Sequence, residues 1–222
     1  MKRKTLAVSM LSAILASTCL GVVSAKQTQV IELSTKDPGS TVATIRVSGR
    51  SLSLEASDSA ESTLFTDDAV ITINNKDRTY RVQSIADLKA NVSRKAAELG
   101  NPVGEVGPAQ RIGFKLTEET ETISGFKARK LIKTSKGEPE AQFWVSSELL
   151  PPNLRALGES IKSMLPETYW DRVGGNLSMV EIIVLFGVPL RITFDQQIYS
   201  ARVIESSGSP LQVPADYRKL GK

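Results

Sequence analysis

The feature that most constrains this chain is a ribbon of alternating apolar and polar residues between Gln110 and Leu150. Its apolar side chains recur at every second position, at Ile112, Phe114 and Leu116 and again at Phe143 and Val145. A period of two is typical of β-strands that bury one face. The pairs Ser124-Gly125 and Lys136-Gly137 divide the ribbon into three strands. The buried face must therefore meet either helices or a bound hydrophobic molecule.

The chain before this ribbon, from Gln27 to Gln83, has the same period in shorter segments. Between Thr41 and Val47 the odd-numbered positions place Ala43, Ile45 and Val47 on one side of a strand. Gly49 and the stretch Asn74 to Asp77 supply residues that tolerate turn geometry. This pattern predicts a locally connected antiparallel sheet.

Two amphipathic helices accompany the strands. The first is predicted to begin at Ser84, whose hydroxyl can accept from exposed amides of the first turn, and to end at Gly100. The second follows Pro151-Pro152, with Asn153 as its expected cap.

A third segment, Met179 to Phe186, is apolar except for Glu181. Its period fits either a buried helix or a buried strand, because its β-branched residues favour a strand while Ser178 before it and Gly187 after it favour a helix. We favour the helix.

The first residues of the sequence predict export. Lys2, Arg3 and Lys4 precede an apolar run that ends at Val23-Ser24-Ala25, which is typical of a secretory signal cleaved after Ala25. A retained membrane helix and lipid attachment at Cys19 are the alternatives. Removing residues 1–25 takes three positive charges from a formal net charge of +4, so the mature chain is close to neutral. It is expected to form one domain, residues 26–222, in the periplasm, with no transmembrane segment after cleavage and no nucleic-acid partner.

Composition argues against common enzyme chemistry. The sequence contains no histidine, and its one cysteine, Cys19, lies in the predicted signal. A catalytic triad with histidine, a cysteine nucleophile and a typical zinc site are therefore excluded. We predict no catalytic residue, no metal site and no cofactor.

Two patterns could still suggest catalysis. Ser124 and Lys127 match the spacing of serine enzymes activated by lysine, but they lie at a strand turn rather than on one helical face. Carboxylates at Glu118, Glu119 and Glu121, or at Asp67 and Asp68, could pair as acid and base, although Glu and Thr alternating along a strand usually mark a solvated edge. The nearby basic residues Lys127, Arg129, Lys130 and Lys133 could meet acidic headgroups or a partner, but we interpret them as one solvated face of a strand pair.

Four fragments carry a resemblance to a known family: ETETISGFKARKL (Glu119 to Leu131), AQFWVSSEL (Ala141 to Leu149), GVPLRI (Gly187 to Ile192) and LQVPADYRKL (Leu211 to Leu220). In order and content they resemble an uncharacterised family of exported bacterial proteins, a domain of unknown function that is similar to the periplasmic lipoprotein-carrier (LolA/LolB-like) fold. The resemblance implies a strongly curved antiparallel sheet, an open half-barrel, with helices on its concave face and an apolar cavity for acyl chains.

The pattern and the resemblance together predict an α+β fold of this half-barrel type. The candidate cavity residues share one sheet face in this prediction: Ile45, Val47, Leu54, Ile71, Ile73, Tyr80, Phe114, Leu116, Phe126, Phe143, Val145, Ile192 and Phe194. The candidate lid residues come from the second and third helices: Leu154, Leu157, Ile161, Met179, Ile183 and Phe186. Packing of the same residues into an ordinary core explains them equally well.

The sequence therefore predicts one function and leaves a second open as the alternative. The first is a non-enzymatic envelope protein that binds lipid, acyl chains or a lipidated peptide. The second is a scaffold or interaction module with a filled core and an envelope protein as its partner. An interior void would favour the first function, and helices packed tightly onto the sheet would favour the second.

Overall fold

The structure of the protein is a computed structural model that describes residues 28–35, 40–100, 112–135, 138–165, 177–206 and 211–221, without the side chains of 95–100 and 112. The predicted export signal and the turn Lys136-Gly137 lie outside these residues. The strands are β1 (Thr28–Thr35), β2 (Thr41–Ser48), β3 (Ser51–Ala56), β4 (Glu61–Phe65), β5 (Ala69–Asn74), β6 (Thr79–Ser84), β7 (Ile112–Ile123), β8 (Phe126–Ser135), β9 (Glu138–Ser146), β10 (Val188–Phe194), β11 (Gln197–Ser206) and β12 (Arg218–Lys219). The helices are α1 (Ile85–Gly100), α2 (Pro152–Met164) and α3 (Met179–Phe186).

All twelve described strands belong to one sheet, in the order β12-β6-β5-β4-β3-β2-β1-β11-β10-β9-β8-β7. Neighbouring strands are antiparallel, except that β12 runs parallel to β6. The N-terminal meander and the C-terminal half are joined because β1 pairs with both β2 and β11. β7 and β12 stand at the two ends of the order, so the sheet is open.

The predicted fold class, an open half-barrel with helices on its concave face, is wrong. The described residues form a large mixed sheet of 12 strands that does not close, together with three short helices. Alternation shows which side chains of a strand share a face, but the bending of a sheet depends on its twist and bulges. Irregular registers interrupt the β1/β2, β7/β8, β8/β9 and β9/β10 ladders, and the hydrophobic pattern does not reveal them.

Local sequence determines where two of the three described helices begin. At α1 the Ser84 hydroxyl accepts a hydrogen bond from the Asp87 amide at 3.0 Å, as predicted. At α3 the Ser178 hydroxyl accepts from the Glu181 amide at 3.3 Å, while the Glu181 carboxylate accepts from the Ser178 amide at 2.7 Å. This reciprocal capping box explains why Met179–Phe186 is a helix rather than a strand.

The cap predicted for α2 is wrong. The helix begins at Pro152, one residue before Asn153, and no side chain caps it. The Asn153 side-chain amide instead donates to the carbonyl oxygen of Arg50 at 2.9 Å. Proline tolerates the first helical position because the amide it lacks there has no intrahelical partner. The proline pair therefore starts the helix, and Asn153 ties it to the β2–β3 turn.

The main core lies between one face of the sheet and the helices α2 and α3. Residues paired across antiparallel strands point to the same face, so Ile31 shares a face with its partners Ile45 and Val203. The buried side chains of α2 and α3 belong to the same apolar cluster as these residues. We call this side of the sheet the helix face and the other side the opposite face.

A smaller apolar group lies on the opposite face. Leu64 and Ile73 are buried there, at 3% and 7% exposure, but stand outside the main cluster. The segment 211–221 runs beside them, since Leu211 and Pro214 line the same depression as Leu64 and Ile73. A hydrogen bond from the Tyr217 hydroxyl to Asn75 Oδ1 at 3.2 Å helps to hold that segment in place.

Candidate functional site

Register places nine of the candidate cavity residues on the helix face. In the N-terminal half, Ile45 pairs with Leu54 and Val47 with Leu52. In the C-terminal half, cross-strand pairs on the same face lead from Tyr199 of β11 to Ile192, then to Phe143, Leu131 and Leu116. The nine are Ile45, Val47, Leu54, Phe114, Leu116, Phe143, Val145, Ile192 and Phe194. Phe194 differs from the others because it is 45% exposed at the end of its strand.

Three other candidates do not share that face. Ile71 pairs with Leu64 and with Val82, and Ile73 pairs with Tyr80, which puts Ile71, Ile73 and Tyr80 on the opposite face. The expectation of a single shared face is therefore wrong for these three. Phe126 lies next to the turn of the β7–β8 hairpin, where it pairs with Ile123 and is half-buried against the main core.

The candidate lid residues pack directly into the core. Leu154, Leu157, Ile161 and Ile183 are buried, while Met179 and Phe186 are half-buried against the same cluster. The Phe186 ring lies 6.2 Å from the Phe114 ring between centroids, and Phe114 lies 6.4 Å from Phe143. The third helix is thus connected to the sheet through a chain of aromatic contacts.

The helices α2 and α3 approach each other closely where Gly158 meets Val184. A Cβ atom added at Gly158 would collide with the carbonyl oxygen of Val184 and lie 3.2 Å from its carbonyl carbon. Both of those atoms belong to the backbone, so no side chain can turn away to make room. The two helices form one closely packed unit over the helix face.

The two residues that match the spacing of serine enzymes, Ser124 and Lys127, lie at the β7–β8 hairpin turn. Ser124 adopts a positive φ of 52° in the β7–β8 turn, and its hydroxyl donates to the Ala201 carbonyl oxygen at 3.3 Å. Lys127 follows the turn, where its amide donates to the Glu148 carboxylate at 3.2 Å.

The carboxylates that sequence analysis considered are mostly bound to basic side chains. Glu118 contacts Arg129 and Glu119 contacts Lys130, each at 3.0 Å. Glu121 accepts two hydrogen bonds from Arg191, at 2.8 and 2.9 Å. These bonds, opposed in part by burial and helped by the charge of Arg191, hold the pKa of Glu121 below its usual value. Asp67 similarly contacts Arg50 at 2.6 Å.

Sequence analysis missed an aromatic site on the opposite face. Trp144 lies between its cross-strand partners Lys130 and Arg191, and each cation is 6.0 Å from the centre of the indole ring. Such stacking favours cations over the ring face. Only the register between β8, β9 and β10 could have revealed it, because the three residues are far apart in sequence.

Sequence analysis also missed a cleft at the β6 edge of the sheet. It has a volume of about 1250 Å³ and is lined by Val70 and Thr72 of β5, Arg81 to Ser84 of β6, Asp87 of α1 and Lys219 to Gly221. Most of these side chains are polar, and none of the predicted cavity or lid residues belongs to the lining.

Two further properties concern the described part of the chain alone. No cluster of three or more acidic, histidine or cysteine side chains that could hold a metal occurs among the described residues. Within the same residues, no helix has the length and apolar character needed to cross a membrane.

Comparison with known proteins gave structural likenesses only. No protein-family model matches the sequence, and no curated protein matches it significantly. One solved structure, of PNGF-II, aligns with 88% of this chain at 11% identity and a TM-score of 0.44, and this chain spans only 31% of it. An uncharacterized conserved protein from Thermus thermophilus aligns with 88% of this chain and 90% of its own length, at 10% identity and a TM-score of 0.36.

A LolA superfamily protein from Nitrosomonas europaea is also among the matched structures. It aligns with 81% of this chain and 83% of its own length, at 10% identity and a TM-score of 0.23. At such identities and TM-scores these likenesses carry no argument about fold or activity.

Proposed function

We propose that this chain is a non-enzymatic exported protein that acts by binding a protein partner in the bacterial envelope, with a filled core between its sheet and its helices. The observation that carries the proposal, by favouring an interaction module over a lipid carrier, is the close packing of α2 and α3 over the helix face. Ile31, Ile45, Leu131, Leu154 and Ile183 are each at most 1% exposed. The interior that an acyl chain would need is taken by side chains of the protein itself.

A lipid that displaced α3 would have to offset the burial free energy that this helix contributes. The four buried residues of α3 are Ile182, Ile183, Val184 and Leu185. Burying such a side chain contributes about 1.5–3 kcal/mol, so removing α3 from the sheet costs on the order of 6–12 kcal/mol. An acyl chain gains about 0.8 kcal/mol per buried CH₂ group and needs roughly 10 such groups to offset that cost.

Export is proposed from the sequence, and a role without catalysis from the sequence and from ion pairs in the structure. The basic start, the apolar run and the small residues before Ala25 support transfer to the periplasm. The absence of histidine and the ion pairs of Glu118, Glu119 and Glu121 support a role without general acid or base chemistry.

A second candidate function is the binding of lipid or a lipidated peptide after the helices move away. One observation favours it: α3 is apolar on every side apart from Glu181 in its first turn. Its removal would uncover a continuous apolar surface on the helix face. In this case α2 and α3 would act as a displaceable lid.

One experiment separates the two functions. The protein is purified from a bacterial host with its export signal, extracted with organic solvent, and titrated with a fluorescent fatty acid. We expect no lipid in the extract and no more probe binding than to an unrelated globular domain of similar size. Stoichiometric lipid in the extract, or saturable binding of one probe per chain, would replace the proposed function by the second candidate.

A further inference from the structure

The sheet edge at β6 is only partly covered. β12 pairs with β6 at just two positions, Thr79 and Tyr80. The last backbone hydrogen bonds on this side run from the Arg218 amide to the Arg78 carbonyl at 2.9 Å and from the Leu220 amide to the Tyr80 carbonyl at 2.8 Å. Because backbone groups alternate sides along a strand, the next groups to face outwards are those of Val82.

The segment that covers the edge leaves it where the cleft begins. Val82, Gln83 and Ser84 line the cleft, as does Gly221 after the end of β12. A Cβ atom added at Gly221 would meet nothing within 4 Å, so the space beside this residue is open. Within the described chain, no backbone hydrogen bond reaches Val82 from the β12 side. An unpaired strand edge of this kind is a template for another extended segment.

The charges of the cleft select the kind of segment. Among its described lining residues, the charged side chains are Arg81, Lys219 and Asp87. Eight ion pairs occur among the described residues. Neither Arg81 nor Lys219 takes part in any of them. Asp87 lies in the first turn of α1, where the helix dipole favours its negative charge. Two basic groups that have no carboxylate partner among the described residues thus border this backbone edge.

We propose that this cleft binds an extended acidic segment of a partner protein, which adds to the sheet as a strand beside β6. Backbone groups of the segment would pair with those of Val82, and its carboxylates would meet Arg81 and Lys219. Val70 and Leu220 supply apolar contacts for the alternate side chains. The volume of about 1250 Å³ exceeds the range of about 300–1,000 Å³ that is usual for small-molecule pockets, which favours a peptide. This inference rests on the proposed function and names its surface and its kind of partner.

The test is a fluorescence anisotropy titration with a fluorescein-labelled peptide of about eight residues, the length of a strand, in which Glu and Val alternate. One control peptide has Lys in place of Glu. A second control keeps the sequence but is N-methylated at alternate residues, so that it retains the charge and loses the backbone donors. The charge-reversed protein R81E/K219E is compared with K115E/K127E, which has the same change in net charge on β7 and β8.

We expect saturable binding of the Glu peptide, no binding of the Lys peptide and at least tenfold weaker binding of the N-methylated peptide. The R81E/K219E variant should bind about 5–30-fold more weakly than the wild type, and K115E/K127E should bind like the wild type. The inference is overturned if the Glu peptide does not bind, if N-methylation has no effect, or if both double variants lose equal affinity. It is also overturned if light scattering shows that the wild type is a dimer and that R81E/K219E is a monomer, because a second copy of the chain would then occupy this edge.

Failure of this inference and failure of the proposed function have different signatures. Lipid in the purified protein would contradict the filled core and leave the peptide titration unchanged. A titration without selectivity would remove the strand-addition site and leave the packing of α2 and α3 as described.

Discussion

Replacing Gly158 by alanine tests the packing of the two helices most sharply, because two effects of known size oppose each other. In an exposed part of a helix, alanine is more favourable than glycine by about 0.8–1.0 kcal/mol. At Gly158 the new Cβ would collide with the Val184 carbonyl oxygen and lie 3.2 Å from the Val184 carbonyl carbon and 3.7 Å from the Leu185 Cα. Overpacking of this kind costs about 1–3 kcal/mol, and more when only backbone can yield.

Because the colliding atoms are backbone, we place the overpacking cost in the upper range, at about 2–3 kcal/mol, and expect G158A to lower the free energy of unfolding by about 1–2 kcal/mol. In urea denaturation followed by circular dichroism, with a slope of about 2 kcal/mol per molar, the midpoint should fall by about 0.5–1 M. The matched control is A156G on the exposed side of the same helix, which should cost about 1 kcal/mol from helix propensity alone. An increase in stability of about 1 kcal/mol for G158A would show that α2 is free of α3 and would refute the packing argument.

Four more variants probe other contacts of the fold. I183A removes a side chain with 0% exposure and should lower the free energy of unfolding by about 2–5 kcal/mol. F194A removes a side chain that is 45% exposed and should lower it by less than about 1 kcal/mol. Equal losses for the two variants in urea denaturation would contradict the assigned core. E121Q removes the charge of Glu121, whose pKa is lowered by its bond to Arg191. The ionised carboxylate therefore stabilises the folded state above the ordinary pKa of 4.5, and this stabilisation is lost as the pH falls through the pKa of the folded state. The stability difference between wild type and E121Q should therefore shrink when urea denaturation is repeated in acid, and a difference that grows there would have the wrong sign. I73A should loosen the segment 211–221, whose Leu220 amide donates a hydrogen bond to the Tyr80 carbonyl oxygen. In hydrogen–deuterium exchange, the Leu220 amide should therefore exchange faster than in the wild type, and the exchange of amides in α2 should not change.

Local signals in the sequence were sufficient for most of the elements. Strict alternation in Thr41–Ser48 predicts that strand and its buried side chains, and Ser84 and Ser178 mark the beginnings of α1 and α3. These features depend on a few neighbouring residues, whose backbone preferences are read directly. The same local logic failed at Asn153, since Pro152 already begins the helix one residue earlier.

Long-range pairing accounts for what the sequence did not reveal. Leu64 and Phe65 are adjacent in β4 and both buried, one on each face of the sheet, so the hydrophobic pattern there does not assign a face. The register decides the assignment, and a change of one residue reverses every side chain. The same dependence explains why Ile71, Ile73 and Tyr80 were placed on the wrong face. The Trp144 site and the β6 cleft likewise exist only through pairing of strands that are distant in the chain.

The central claim, a core filled by the protein's own helices, is tested most directly by native mass spectrometry of the exported protein. The account predicts that the mass under native conditions equals the mass of the mature polypeptide measured after denaturation. An additional mass in the range of a lipid, present under native conditions and lost on denaturation, would contradict it.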